Sequence, residues 1–136
     1  MKRYELIEHT ADVGVKAFGK SVAEAFAHAA QAMFDLITDN SRVADVGEYK
    51  IELDAPDREQ LLVDWLSELL FLHDVDNVVF GRFEVMLKGN HLSAKAYGET
   101  FTKDKHRIGA EIKAVTYHIL EVHEDLPVFV QVLFDI

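Results

Sequence analysis

The chain is expected to fold as an α+β protein, a single domain over residues 1–136 with two main helices packed on mostly antiparallel sheet. Three observations carry that expectation. Two segments repeat apolar residues at three-to-four spacing behind a capping signature. About seven short segments suit strands, several of them alternating apolar and polar residues. Several of those are joined by short turns, as in hairpins. With 136 residues, 49% of them hydrophobic, the chain can bury a core without disulfide or metal staples. No composition shift, fixed-period repeat or low-complexity stretch divides it.

Residues 4–8 read as a short strand and 12–18 as a second, with Val13, Val15 and Ala17 on one face. Between them His9, Thr10, Ala11 and Asp12 make a polar corner. Ser21 and Glu24 form a capping box, and the helix that follows runs to about Ile37 on a stripe of Val22, Phe26, Ala29, Met33 and Ile37. His28 lies off that stripe and is expected at the surface. Thr38, Asp39, Asn40 and Ser41 end the helix through local side-chain hydrogen bonds. In a third strand, 48–54, Tyr49, Ile51 and Leu53 alternate with Lys50, Glu52 and Asp54, which leaves one face wet.

Pro56 sets the next turn, and Asp57 with Gln60 supplies the second capping signature. The helix to about His73 carries the widest apolar face, Leu61, Leu62, Trp65, Leu66, Leu69 and Leu70, and is expected to be the main core helix. His73 suits the negative end of that helix. Strands over 78–87 and 92–99 meet at Gly89-Asn90, and 119–123 and 128–134 form a last hairpin around Asp125, Leu126 and Pro127.

Between the hairpins lies the most unusual stretch, Glu111-Ile112-Lys113-Ala114-Val115-Thr116-Tyr117-His118. If extended, it places Glu111, Lys113, Val115 and Tyr117 on one face and Ile112, Ala114, Thr116 and His118 on the other. Lys113 between apolar neighbours fits either a lysine of perturbed basicity or one held in an ion pair. The plainer alternative is an amphipathic edge strand whose Lys and Glu are solvated.

Composition narrows the function. There is no cysteine, so neither disulfides nor thiolate metal sites are available, and a reducing cytoplasm fits. The N-terminal basic residues run into Glu5, Glu8 and Asp12 rather than an apolar signal core, and no apolar run approaches the roughly 18 residues that span a bilayer. A soluble cytoplasmic protein with no membrane partner is expected. A net charge of -10 repels phosphate backbones, so no autonomous nucleic-acid binding is expected. The one basic run, Lys103 to Arg107, is short and diluted by Asp104.

The chain closes on Val132-Leu133-Phe134-Asp135-Ile136, which sets an Asp side chain beside the terminal carboxylate of Ile136. A third acid brought to them, with Asp12 the candidate, would repel both unless a hard cation lay between the oxygens. Magnesium or calcium suits such a set; His9 or His118 joining it would favour zinc or manganese. In the alternative, Asp135 and the terminus are solvated and Asp12 caps a turn. His28, His91 and His123 follow no ligand spacing, and no Gly-x-Ser-x-Gly elbow, His-Glu-x-x-His helix or P-loop supports a hydrolase.

Four segments together, Glu8 to Asp12, Leu61 to Leu66, Glu111 to His118 and Val132 to Ile136, resemble the archease family over essentially the whole chain and in the family's order. The chain departs from the family at Ala110, commonly threonine there, and at Pro127-Val128-Phe129, where a glycine-tryptophan pair is often found. The resemblance implies a non-catalytic activator of the RtcB-type tRNA-splicing RNA ligase. Such an activator promotes guanylylation of the ligase's active-site histidine, speeds its turnover and broadens its nucleotide triphosphate use. It also implies a divalent cation, calcium foremost with magnesium or manganese as alternatives, at Asp12, Asp135 and Ile136. His9, Glu111 and Lys113 are then the expected contacts in ligase activation. A metal-dependent phosphoesterase and a chaperone-like binding module stand as the alternatives.

Overall fold

The computed structural model describes residues 2–9 and 11–136, His9 through its backbone alone. The expected corner from His9 to Asp12 therefore lies partly outside the described residues. Among the described residues seven strands and two helices follow one another as β1 (Tyr4–His9), β2 (Asp12–Phe18), α1 (Val22–Ile37), β3 (Gly47–Asp54), α2 (Arg58–Asp76), β4 (Val78–Lys88), β5 (His91–Thr100), β6 (Ala114–His123) and β7 (Phe129–Asp135), with a 3₁₀ turn at Asn40–Arg42. The strands form two antiparallel sheets, a four-stranded one ordered β1-β2-β7-β6 and a three-stranded one ordered β3-β5-β4.

Local chemistry sets the helix starts. Ser21 Oγ accepts from the Glu24 amide at 3.1 Å, and the Glu24 carboxylate accepts from the Lys20 amide at 3.1 Å, so the box closes one residue upstream of the cap. Asp57 caps α2 through the Gln60 amide at 2.8 Å. The Gln60 side chain does not reach back to the cap; it donates forward to Asp64 at 2.8 Å and to the Tyr117 hydroxyl at 3.0 Å. Helix α2 continues past His73 to Asp76 and stops at Asn77, which adopts the left-handed conformation that terminates many helices.

Both helices share one core. Helix α1 packs on β2 and β7 of the larger sheet and on β4 of the smaller, and α2 packs on β6 while touching β3, β4 and β5. Trp65 Nε1 donates to the Phe26 carbonyl at 3.1 Å, and eight residues further along each helix the Phe34 and His73 rings meet edge-on at 6.0 Å. The helices therefore run side by side in the same direction. Contact with two sheets explains why α1 buries more than the single expected stripe: Ala25, Ala30, Ala32 and Phe34 are buried as well. Small alanines let backbones approach closely on several sides of a helix. His28 is likewise part-buried, contrary to expectation, with Nδ1 2.6 Å from the Phe18 carbonyl oxygen at the end of β2.

Two expectations about the C-terminal third change. The octamer is not wholly extended: 101–113 is a loop and β6 begins at Ala114. The strand then continues to His123 through a bulge between Thr116 and Glu121, so the octamer's end and the expected strand at 119–123 are one element. Ile119 sits inside the bulge at φ 57°, and its Cδ1 would lie 3.3 Å from a Cβ placed on Gly14. The absence of a side chain at Gly14, in the middle of β2, leaves room there for Ile7 of β1, whose Cβ a Cβ at Gly14 would meet at 3.0 Å, as well as for the Ile119 side chain.

The loop ahead of β6 is tied down by internal contacts. The Gly109 amide donates to the Ile37 carbonyl at 2.9 Å and the Ala110 amide to the Leu36 carbonyl at 2.7 Å, capping the C-terminal carbonyls of α1. Arg107 donates to the Asp35 and Thr38 carbonyls at 3.1 and 3.2 Å. The Glu99 carboxylate receives Lys105 Nζ at 2.6 Å and the Ala44 amide at 2.8 Å, with buried His106 Nε2 at 3.0 Å. The Thr102 amide donates to His106 Nδ1 at 3.0 Å, which leaves Nε2 to carry the proton toward Glu99. The short basic run is thus engaged as a clamp that holds the approach to β6.

Candidate functional site

The register of the larger sheet builds the site. Asp12, the first residue of β2, is paired directly with Asp135, the last of β7. The same row continues outward in both directions, with His9 of β1 opposite Asp12 and Ala114 of β6 opposite Asp135. One cross-sheet row therefore gathers residues about 126 positions apart in sequence at one end of four strands.

Alternation fixes which way the row faces. Val15 and Ala17 in β2 and Val130, Val132 and Phe134 in β7 are buried toward the helices. Asp12 and Asp135 belong to the other parity, so both carboxylates project from the face turned away from α1. Directly opposed side chains in an antiparallel pair have Cβ atoms about 4.5–5.5 Å apart. Two carboxylates held at that spacing on partly exposed strand ends can share one hard cation.

Among the described residues no three His, Asp or Glu side chains converge tightly enough to hold a metal ion by themselves. The acid pair fits a cation only with further oxygen, and Ile136, next after Asp135 and 37% exposed, brings main-chain oxygens to the same strand end. The His9 side chain lies outside the described residues. His118 lies on the exposed surface of β6 on the same parity as Ala114 and Thr116, and Thr116 Oγ1 donates to the Leu133 carbonyl at 3.0 Å.

Glu111 and Lys113 stand elsewhere. Both are exposed, in the loop before β6, and the Lys113 amide donates to the Asp135 carbonyl at 2.7 Å. That bond pins the end of the loop to the acid-bearing end of β7. The Lys113 side chain belongs to the parity of Val115 and Tyr117, which faces α2, as the period of two in the octamer implies. It lines a groove with Ala114 and Val115 on one side and Ser67, Phe71 and Asp74 on the other. The structure thus brings Asp12, Asp135 and Ile136 together and sets Lys113 on the opposite side of the same strand end.

Sequence reasoning missed the α2 half of that groove. Its signal was present: Phe71 and Val75 are large apolar residues four apart that lie off the leucine stripe, and both are exposed.

A pair of helices held between two antiparallel sheets, with acids from the two inner strands of the larger sheet, β2 and β7, paired at the strand ends, defines the class of molecule. The chain belongs to the archease family: residues 4–136 match the model of the Archease protein family (MTH1598/TM1083). Protein archease of Pyrococcus abyssi is 44% identical over 131 residues, spanning 93% of this chain and 92% of that protein. Protein archease of Methanosarcina mazei is 46% identical over 128 residues, spanning 90% of this chain and 88% of that protein. The solution structure of Methanobacterium thermoautotrophicum protein 1598 superposes with a TM-score of 0.88 at 38% identity, covering all of both chains. No helix among the described residues is long and apolar enough to cross a membrane.

Proposed function

We propose that this chain is a non-catalytic, cytoplasmic activator of an RtcB-type tRNA-splicing RNA ligase. On this reading it promotes guanylylation of the ligase's active-site histidine and its multiple turnover, and widens the nucleotide triphosphates the ligase accepts. The observation that carries the reading is the direct cross-strand pairing of Asp12 with Asp135. Family membership gives that pair its context.

Asp12, Asp135 and main-chain oxygen of Ile136 would hold a divalent cation, with calcium the best match to an all-oxygen set and magnesium or manganese as alternatives. When bound, such an ion supplies charge neutralisation for phosphate groups during nucleotidyl transfer. The chain's own residues do the rest. Strands β2 and β7 fix the two carboxylates by register, so little ordering is left to be done on encounter. The Lys113 amide and the Asp135 carbonyl keep the loop end against that site, and Glu111 and Lys113, both exposed in that loop, would meet ligase groups or phosphate together with His9 of the same cross-strand row. The net charge of -10 favours approach to a basic, RNA-binding enzyme and weakens with salt.

The test is multiple-turnover ligation with purified ligase, GTP and divalent ion. Asp12→Ala and Asp135→Ala are expected to stay folded and to lose stimulation, and one residue added after Ile136 is expected to impair it. Full stimulation by both alanine variants would refute the reading. Phosphoesterase activity of the isolated chain with added divalent ions would favour a hydrolase instead. Protection of unrelated client proteins that ignores Asp12 would favour a chaperone-like module.

A further inference from the structure

We infer that the groove between α2 and the start of β6 is the docking site for a basic segment of the ligase anchored by one apolar side chain. The inference rests on the ligase-activation reading and adds to it the surface that supplies affinity.

The outer stripe of α2 recurs at helical spacing as Asp64, Ser67, Glu68, Phe71, Asp74 and Val75. Its two apolar members are 57% and 62% exposed, although Leu61, Leu62, Leu66, Leu69 and Leu70 of the same helix are buried completely or nearly so. An isolated exposed apolar residue calls for no explanation. Here Phe71 is in one wall of a shallow, open groove whose far wall is Lys113, Ala114 and Val115, and Val75 follows it one turn on. A groove with an exposed aromatic wall is a surface on which an anchoring side chain can be buried.

Charge selects the kind of occupant. Glu68, Asp74 and Asp76 surround the two apolar residues on the helix, with Lys113 as the basic residue of the groove. The whole chain carries 24 acidic against 14 basic residues. A Leu-, Ile- or Phe-type side chain over Phe71, with a neighbouring Lys or Arg reaching Asp74 and Glu68, satisfies both features. A nucleic-acid strand does not, because its phosphates would face those acids.

Position ties the groove to the carboxylate pair. Ala114 lines the groove and is also the register partner of Asp135. Strand β6 is the outermost strand of its sheet, so a segment seated in the groove has only that edge between it and the acids. Docking there would bring the ligase to the carboxylates without covering them, and it separates affinity from activation.

The experiment titrates the full chain into the ligation assay and reads the half-saturating concentration and the plateau separately. A calorimetric titration of ligase without RNA accompanies it. Phe71→Ser and Asp74→Lys, both at exposed positions, are expected to raise the half-saturating concentration and the dissociation constant tenfold or more, with the plateau retained. Unchanged half-saturation in both variants would overturn the docking site, as would a shift that appears only when RNA is present. An Asp12→Ala chain that keeps the full plateau would refute the activation reading instead, and would leave a Phe71→Ser affinity shift standing as evidence of docking.

Discussion

Asp12 and Asp135 are register partners at the end of the β2–β7 pair, projecting from the same face of the sheet. Like charges directly opposed across strands are destabilising, by roughly 0.2–1 kcal/mol. With divalent ions removed by chelator, Asp135→Asn is therefore expected to raise the unfolding midpoint, by about 1–3 °C in a chain of this size. Excess calcium should reverse the order, because a ligand that binds only the folded state stabilises it by about 2.7 kcal/mol at a hundredfold excess over its dissociation constant. Thermal unfolding in chelator and in calcium checks this; the same ranking in both would contradict a shared cation.

Gly109 is required by the close passage of the loop beneath the end of α1. A Cβ there would fall 2.2 Å from the Leu36 carbonyl oxygen and 2.8 Å from that of Ile37. Both atoms are backbone and cannot swing aside. Gly109→Ala is expected to cost more than about 2 kcal/mol in urea unfolding, through overpacking and loss of the two capping hydrogen bonds. A loss below about 0.5 kcal/mol would show that the loop does not need this contact.

Glu99 gives the clamp its pH dependence. The Lys105 ammonium, the Ala44 amide and His106 hold its carboxyl down to about 2 from an ordinary 4.5. A carboxyl that is more acidic in the folded chain contributes stability that is fully present above 4.5 and is lost as pH falls toward about 2. Urea midpoints measured through that interval should fall with acidification, and Glu99→Gln should flatten the slope while lowering the midpoint at neutral pH. An unchanged slope in the variant would remove Glu99 from the clamp's pH response.

Imidazole at His91 titrates in the opposite sense. Hydrogen bonds to Asp54 at 2.8 Å and Glu52 at 2.9 Å raise its value above 6.5, so its contribution is present below 6.5 and lost as pH rises through the folded value. Proton NMR of the His91 ring is expected to give a midpoint above that of the same residue in Asp54→Asn. Equal midpoints would contradict the pairing.

What could be read from sequence was whatever depended on local periodicity. The Ser21 and Asp57 caps, the leucine face of α2 and the two-residue turn at Gly89-Asn90 are encoded within a few neighbouring residues, and they stand as expected. Asp12 and Asp135 were legible as candidates because each acid abuts an apolar strand, but their pairing is a matter of register between β2 and β7, far apart in the chain. Ile119 illustrates the limit: a β-branched residue in the left-handed region, inside the β6 bulge, runs against its own preference and cannot be read from periodicity. His28 was placed at the surface because periodicity cannot foresee that the end of β2 passes close by.

The central claim is that the Asp12–Asp135 pair holds a divalent cation, and calorimetric titration of calcium into the chelator-treated chain tests it most directly. One site of single stoichiometry in the wild-type chain, abolished in both Asp12→Asn and Asp135→Asn while their folds persist, is the expected result. Equal calcium binding by wild type and both variants, or none by any of them, would contradict it.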